Sequence, residues 1–162
     1  MLASPVTARR EVCLGAAAWL ATGLTCGPAA SAATPDALPA SRSLPQELAA
    51  ALARNHPLIV MVSLAGCPYC HAARRSYLLP MWREGVPLVQ VDMRSPADTV
   101  DFNQRRVTHD QLVQQWRVSV APTLLFLGPQ GREVAERMEG AYLPDFYGAY
   151  LDARLQKARE AL

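Results

Sequence analysis

Hydrophobic and polar positions are arranged in short blocks from Ser43 onward. Leu44, Leu48, Ala51 and Leu52 recur at helical spacing, with Pro45 suited to the first turn. Ser43 and Gln46 form the pattern of a capping box, and Asn55 closes the segment. Leu58-Ile59-Val60-Met61-Val62-Ser63-Leu64 is apolar, partly β-branched and short, which predicts a buried central strand. A helical stretch from His71 to about Leu79 follows, ended or kinked by Pro80. Val86 to Val91 predicts a second buried strand, and Arg94 to Arg106 is polar and carries no clear period. Thr108 and Gln111 form another capping box ahead of Leu112, Val113 and Trp116. Thr123 to Leu127 predicts a strand, Pro129-Gln130-Gly131 a turn, and Arg132 to Met138 its hairpin partner. Pro144 opens a last amphipathic helix with Phe146, Tyr147, Tyr150, Leu151 and Leu155.

Helices that alternate with strands predict an α/β domain with parallel pairing, and the late hairpin adds antiparallel pairing. The expected result is a mixed central sheet flanked by helices over residues 43–162.

The first 33 residues have a different pattern. Arg9 and Arg10 precede an apolar run from Val12 to Leu24, and Ala30-Ser31-Ala32 supplies small residues for cleavage. The run is shorter than the roughly 20 residues a spanning helix requires. Residues 1–33 therefore read as a secretory signal peptide and predict a periplasmic location. The general secretory route is favoured over the twin-arginine route, because an arginine pair alone is common. Gly23-Leu24-Thr25 ahead of Cys26 is a poor lipoprotein signal. Residues 34–42, rich in Ala, Ser and Pro, read as a flexible leader.

Composition narrows the partners. Sixteen basic and fourteen acidic residues give a net charge of +2, too balanced for a nucleic-acid surface. Cys13 and Cys26 would leave with the signal, so the mature chain keeps Cys67 and Cys70 alone.

Those two cysteines carry the candidate chemistry. In Cys67-Pro68-Tyr69-Cys70 they lie where a strand hands over to a helix. The thiolate is the reactive form of cysteine, and a helix N-terminus favours it through unpaired N–H groups and the helix dipole. Cys67 is thus the expected attacking thiol and Cys70 the resolving one. A structural disulfide across so short a loop adds little stability. A zinc site would need a second pair of ligands beyond His56, His71 and His109. Cys67-Pro68-Tyr69-Cys70-His71 also fits covalent haem attachment, but the following strand pattern does not suit a small cytochrome. No metal or cofactor is expected.

Strand, Cys-Pro-Tyr-Cys, helix and then Val120-Ala121-Pro122-Thr123 ahead of a strand resemble the thioredoxin superfamily over about Leu44 to Leu155. The resemblance implies a thioredoxin fold, a cis Ala121–Pro122 bond facing the dithiol, and substrate contacts at Ala121, Pro122 and Gly140. It also implies a thiol-disulfide oxidoreductase, with Cys67 and Cys70 catalytic and Pro68 and Tyr69 tuning the site. His71 is a possible modulator of Cys67, four residues away. Met61 stands where thioredoxins carry a buried Asp, and Gly66 where they carry Trp. Gly131-Arg132-Glu133 and Gly140-Ala141-Tyr142-Leu143-Pro144 add a likeness to exported thioredoxin-like proteins of the SoxW type. That likeness implies a monomeric reductant of exported protein disulfides, recharged by a membrane thiol-reductant donor. A periplasmic oxidant or isomerase and a non-catalytic binding module are the alternatives.

Overall fold

A computed structural model describes residues 37–140 and 146–162. Residues 1–33, the stretch read as a signal peptide with Cys13 and Cys26, and Pro144 lie outside the described residues. The elements run α1 (Leu44–Leu52), β1 (Leu58–Ser63), α2 (Pro68–Ala73), a π-helical turn (Arg74–Leu78), α3 (Leu79–Arg83) and β2 (Leu88–Asp92). They continue with β3 (Asp98–Val100), β4 (Arg106–Thr108), α4 (His109–Gln115), β5 (Thr123–Leu127), β6 (Glu133–Glu139) and α5 (Tyr147–Glu160).

The main sheet has the order β2-β1-β5-β6. β1 and β5 are central and buried along their whole length, as their unbroken apolar runs require. Because side chains alternate along a strand, β1 feeds two cores. Leu58, Val60 and Val62 meet Leu44, Leu48 and Ala51 of α1 and Leu112 and Val113 of α4. Ile59 and Met61 meet Cys70, Leu78 and Leu79 on one side and Tyr147, Leu151 and Leu155 of α5 on the other. Leu125 and Phe126 divide between the two cores in the same way. Truncating either to Ala would cost about 2–5 kcal/mol.

The expected mixed sheet flanked by helices is present, with one difference in pairing. Among the described strands of this sheet β1 and β2 alone pair in parallel, while β5 is antiparallel to β1 and β6 to β5. After β2 the chain forms the small β3–β4 hairpin and α4, and re-enters the sheet beside the end of β1, with Thr123 opposite Val62. The span Arg94 to Arg106, without a clear period in sequence, holds β3, the turn and the first residue of β4. Asp101 closes its turn by accepting the N–H groups of Asn103 and Arg105, each at 2.9 Å, and both arms of the Arg105 guanidinium.

Three local expectations change. Ser43 makes no side-chain cap. The carboxylate of Glu47 takes that role, accepting from Ser43 N, Arg42 N and the Ser41 hydroxyl. The leader is not free from Leu38 on. Leu38 is buried, and Ala40 pairs with Gln90 through Ser41 N–Gln90 O and Gln90 N–Pro39 O bonds of 2.8 Å. Ala, Ser and Pro have little strand propensity, but the outer edge of β2 exposes backbone groups that need partners. His109 fastens this strap: its Nδ1 accepts Asp92 N–H, so its Nε2 carries the hydrogen donated to Ser41 O at 3.0 Å. Finally, Pro80 does not end the helix. It cannot donate to Ser76 O, and its ring would crowd that carbonyl in a regular turn. The turn before it widens instead, with Leu79 N bonded to Arg74 O.

Candidate active site

The site forms where β1 ends. Leu64 to Gly66 turn the chain, and Gly66 takes a φ of +73° that glycine adopts without strain. Cys67 is then the N-cap of α2, with extended backbone, and its sulfur accepts the Cys70 N–H at 3.2 Å. Pro68 occupies the first turn, where a missing N–H has no consequence. One turn later Cys70 points inward and is fully buried, whereas Cys67 stays partly open. Neither is bridged. The predicted division into an accessible and a buried sulfur is therefore the observed geometry.

Across from the dithiol, the Ala121–Pro122 peptide is cis, as the resemblance implied. The Cys67 sulfur lies 3.8 Å from the Ala121 carbonyl oxygen. Gly140 N donates to Pro122 O at 2.8 Å, which ties the end of β6 to the cis-proline loop. Gly140 has a φ of +77°, and a Cβ there would stand 3.5 Å from Val120. Cys67, Ala121, Pro122 and Gly140 thus come together. Tyr69 and Val120, neighbours in sequence of Cys70 and Ala121, are exposed apolar side chains. His71 is exposed on α2, and among the described residues no hydrogen bond joins its ring to Cys67.

Burial pushes the Cys70 thiol up to about 11, and its hydrogen bond with Cys67 pushes the same way. Hydrogen bonds from the Leu64 backbone and the Ser63 hydroxyl oppose this in part. Met61, fully buried, lies on the same sheet face as Cys70, so this part of the floor is apolar.

Sequence reading missed the polar part of that floor. Arg74 is buried, and its Nη2 donates to the Ser63 hydroxyl at 2.8 Å while its Nε donates to Gln90 Oε1 at 2.9 Å. Gln90 Nε2 in turn donates to Asp92 at 2.7 Å. The signal was present in strand parity: Ser63 and Gln90 interrupt apolar runs at positions that face Arg74.

No group of three or more His, Cys, Asp or Glu side chains capable of holding a metal occurs among the described residues. No helix among the described residues is long and apolar enough to cross a membrane.

Comparison with known proteins agrees with this geometry. Residues 44–155 match the thioredoxin-like domain family. A solved structure described as DsbH oxidoreductase is similar at a TM-score of 0.53 and 18% identity, covering 74% of this chain and 86% of its own. A thioredoxin from Thermus thermophilus aligns at a TM-score of 0.48 and 22% identity, covering 74% of this chain and 87% of its own. Curated protein sequences give no match. The family match spans most of the chain and takes in the dithiol, the cis-proline loop and the sheet that holds them together: this chain belongs to the thioredoxin-like family.

Proposed function

We propose that the protein is an exported thiol-disulfide oxidoreductase that reduces disulfides of other exported proteins. The observation that carries this reading is the placement of the partly open Cys67 sulfur 3.8 Å from the Ala121 carbonyl, with Cys70 buried one turn behind it. The Cys67 thiolate attacks one sulfur of a substrate disulfide, forms a mixed disulfide and releases the other sulfur as a thiolate. Cys70, as thiolate, then attacks the Cys67 sulfur. A Cys67–Cys70 disulfide forms and the second substrate thiolate leaves. Two electrons pass to the substrate, and two protons, equal to those lost by the dithiol, complete its thiols.

Backbone groups of Ala121 and the edge at Gly140 suit an extended substrate segment laid beside the site, as in strand addition. Tyr69 and Val120 supply apolar contact with little specificity. Export rests on the Arg9-Arg10, apolar-run and Ala30-Ser31-Ala32 pattern. In that compartment the spent disulfide requires a membrane thiol-reductant donor, and the working unit is a monomer.

Reduction of insulin disulfides by the domain from Ala37 onward tests the reading, with Cys67→Ser as the inactive control. Absence of turnover by the wild type overturns it. The equilibrium potential fixes the direction. A value near or below about −270 mV fits a reductant, and one of about −120 to −180 mV makes the protein an oxidant or isomerase.

A further inference from the structure

Val120, Ala121 and Pro122, which face the dithiol, each send their carbonyl to a different place. The Thr123 hydroxyl donates back to Val120 O at 2.8 Å. Gly140 N donates to Pro122 O at 2.8 Å. Ala121 O stands 3.8 Å from the Cys67 sulfur. On the donor side Pro122 has no N–H, and among the described residues no backbone hydrogen bond engages the Ala121 N–H.

Thr123 is fully buried and begins β5, paired with Val62 on one side and Glu139 on the other. Its branched side chain is stiff, and a buried hydroxyl is costly without a partner. The bond to Val120 O is therefore held from a rigid base. Val120 O and the Ala121 N–H belong to one planar trans peptide and point in opposite directions. Holding the oxygen toward buried Thr123 turns the N–H away from the interior, on the side where Val120 is exposed. A residue before proline is also kept extended, and an extended residue presents its N–H and C=O along one edge. Ala121 O meets Cys67, so the N–H lies along the edge that borders the dithiol.

We propose that Thr123 is a positioning residue for protein substrates: its hydroxyl holds the Val120–Ala121 peptide so that the Ala121 N–H meets a backbone carbonyl of a substrate segment seated beside Cys67. This rests on the redox reading above and deepens it. Thr123 touches neither the substrate nor the sulfurs and takes no part in the thiol exchange. It sets the register in which a substrate cystine reaches Cys67. The substrate class it favours is an extended segment with an accessible backbone carbonyl next to its cystine, over a small disulfide that offers no peptide carbonyl. Without the hydroxyl, Val120 O is unpaired on the buried side, and the peptide gains by turning that oxygen to water. The Ala121 N–H turns with it.

A purely structural role for Thr123, filling space under the loop, has the opposite signature in a pair of variants. Thr123→Val keeps the shape and loses the hydroxyl. Thr123→Ser keeps the hydroxyl and loses a methyl group. The full chain is assayed in two reactions: reduction of insulin, and release of coloured thiolate from a small aromatic disulfide. The readout is the ratio of the two second-order rate constants, insulin over small disulfide. Thr123→Val should lower this ratio about fivefold, equivalent to about 1 kcal/mol and to one ordinary hydrogen bond. Thr123→Ser should hold it near the wild-type value. An unchanged ratio in Thr123→Val overturns the proposal, as does equal slowing of both reactions or a fall in Thr123→Ser as large as in Thr123→Val. Should Thr123→Val fail to fold, Thr123→Ala takes its place against Thr123→Ser, with the same outcomes. Absence of insulin reduction by the wild type overturns the redox reading and this role together. Insulin reduction by the wild type with an unchanged ratio in the variant overturns the role of Thr123 alone.

Discussion

The Cys67 sulfur and the Ala121 carbonyl oxygen, 54 residues apart in the chain, lie 3.8 Å apart in space. The cause is the antiparallel pairing of β5 with β1, which sets Thr123 against Val62. The loop that precedes β5 therefore faces the loop that follows β1. The two thiols also differ in exposure, since Cys67 faces the cis-proline loop and Cys70 is buried in the core.

That separation predicts different trapping behaviour. Cys70→Ser should accumulate mixed disulfides with substrate through Cys67, because the resolving sulfur is missing. Cys67→Ser should accumulate few, because Cys70 is fully buried. Non-reducing electrophoresis of the two variants after incubation with a disulfide-bonded protein measures this. Equal trapping by both would overturn the assignment of attacker and resolver.

Alkaline stability should depend on redox state. Burial of Cys70, its largest cause, raises the thiol from 9.0 to about 11. The folded state therefore holds a proton that the unfolded state releases across this range. The sign follows: this contribution is present below about pH 9 and is lost as pH rises through about 11. Urea midpoints of the reduced protein should fall over that window. Those of the oxidised protein, which has no Cys70 proton, should lack this component. Parallel slopes would count against the raised value.

Acid stability has an opposite contributor in the β3–β4 hairpin. Burial alone would push the Asp101 carboxyl up, but hydrogen bonds from Arg105 and Asn103 outweigh it and hold the carboxyl below its usual range. The unfolded chain then binds the proton first. The stabilisation is present above the model-peptide value near 3.8 and disappears as pH falls through the lower folded value. Asp101→Asn should lower stability at pH 7 by about 1–2 kcal/mol. It should also flatten the acid limb of a stability–pH profile.

The His109 clasp should matter to the strap and not to the dithiol. His109→Leu leaves Asp92 N–H and Ser41 O without their imidazole partner, a loss of about 1–3 kcal/mol. Hydrogen exchange at Ser41 and Gln90 should accelerate, while reactivity of Cys67 toward an alkylating agent stays as in the wild type. Slower exchange, or loss of Cys67 reactivity, would contradict this division.

The sheet and the dithiol were legible because they rest on local pattern. Apolar runs announced β1 and β5, and Cys67-Pro68-Tyr69-Cys70 carried both its chemistry and its helix start. The capping box at Thr108 and Gln111 also forms as read. The strap from Leu38, the Glu47 cap and the antiparallel entry of β5 were not legible, since each depends on partners distant in sequence. Arg74 illustrates the same limit. On a helix after a reactive site, an arginine is expected to face solvent, and only the polar Ser63 and Gln90 within apolar strands hinted otherwise.

The widened turn from Arg74 to Leu78 makes this helix sensitive to length in a way that its neighbours are not. A π turn holds one residue more than the regular helix on either side needs. Each residue of a regular helix is worth about 100° of rotation. Removing Arg75 or Ser76 would convert the turn into an ordinary one ahead of Pro80, where the proline ring is least tolerated. It would also swing Cys70 about a quarter-turn out of the core it shares with Met61 while Leu79 kept its place there. Point changes on the exposed side of the helix leave the aim of the resolving sulfur intact, but a one-residue deletion redirects it.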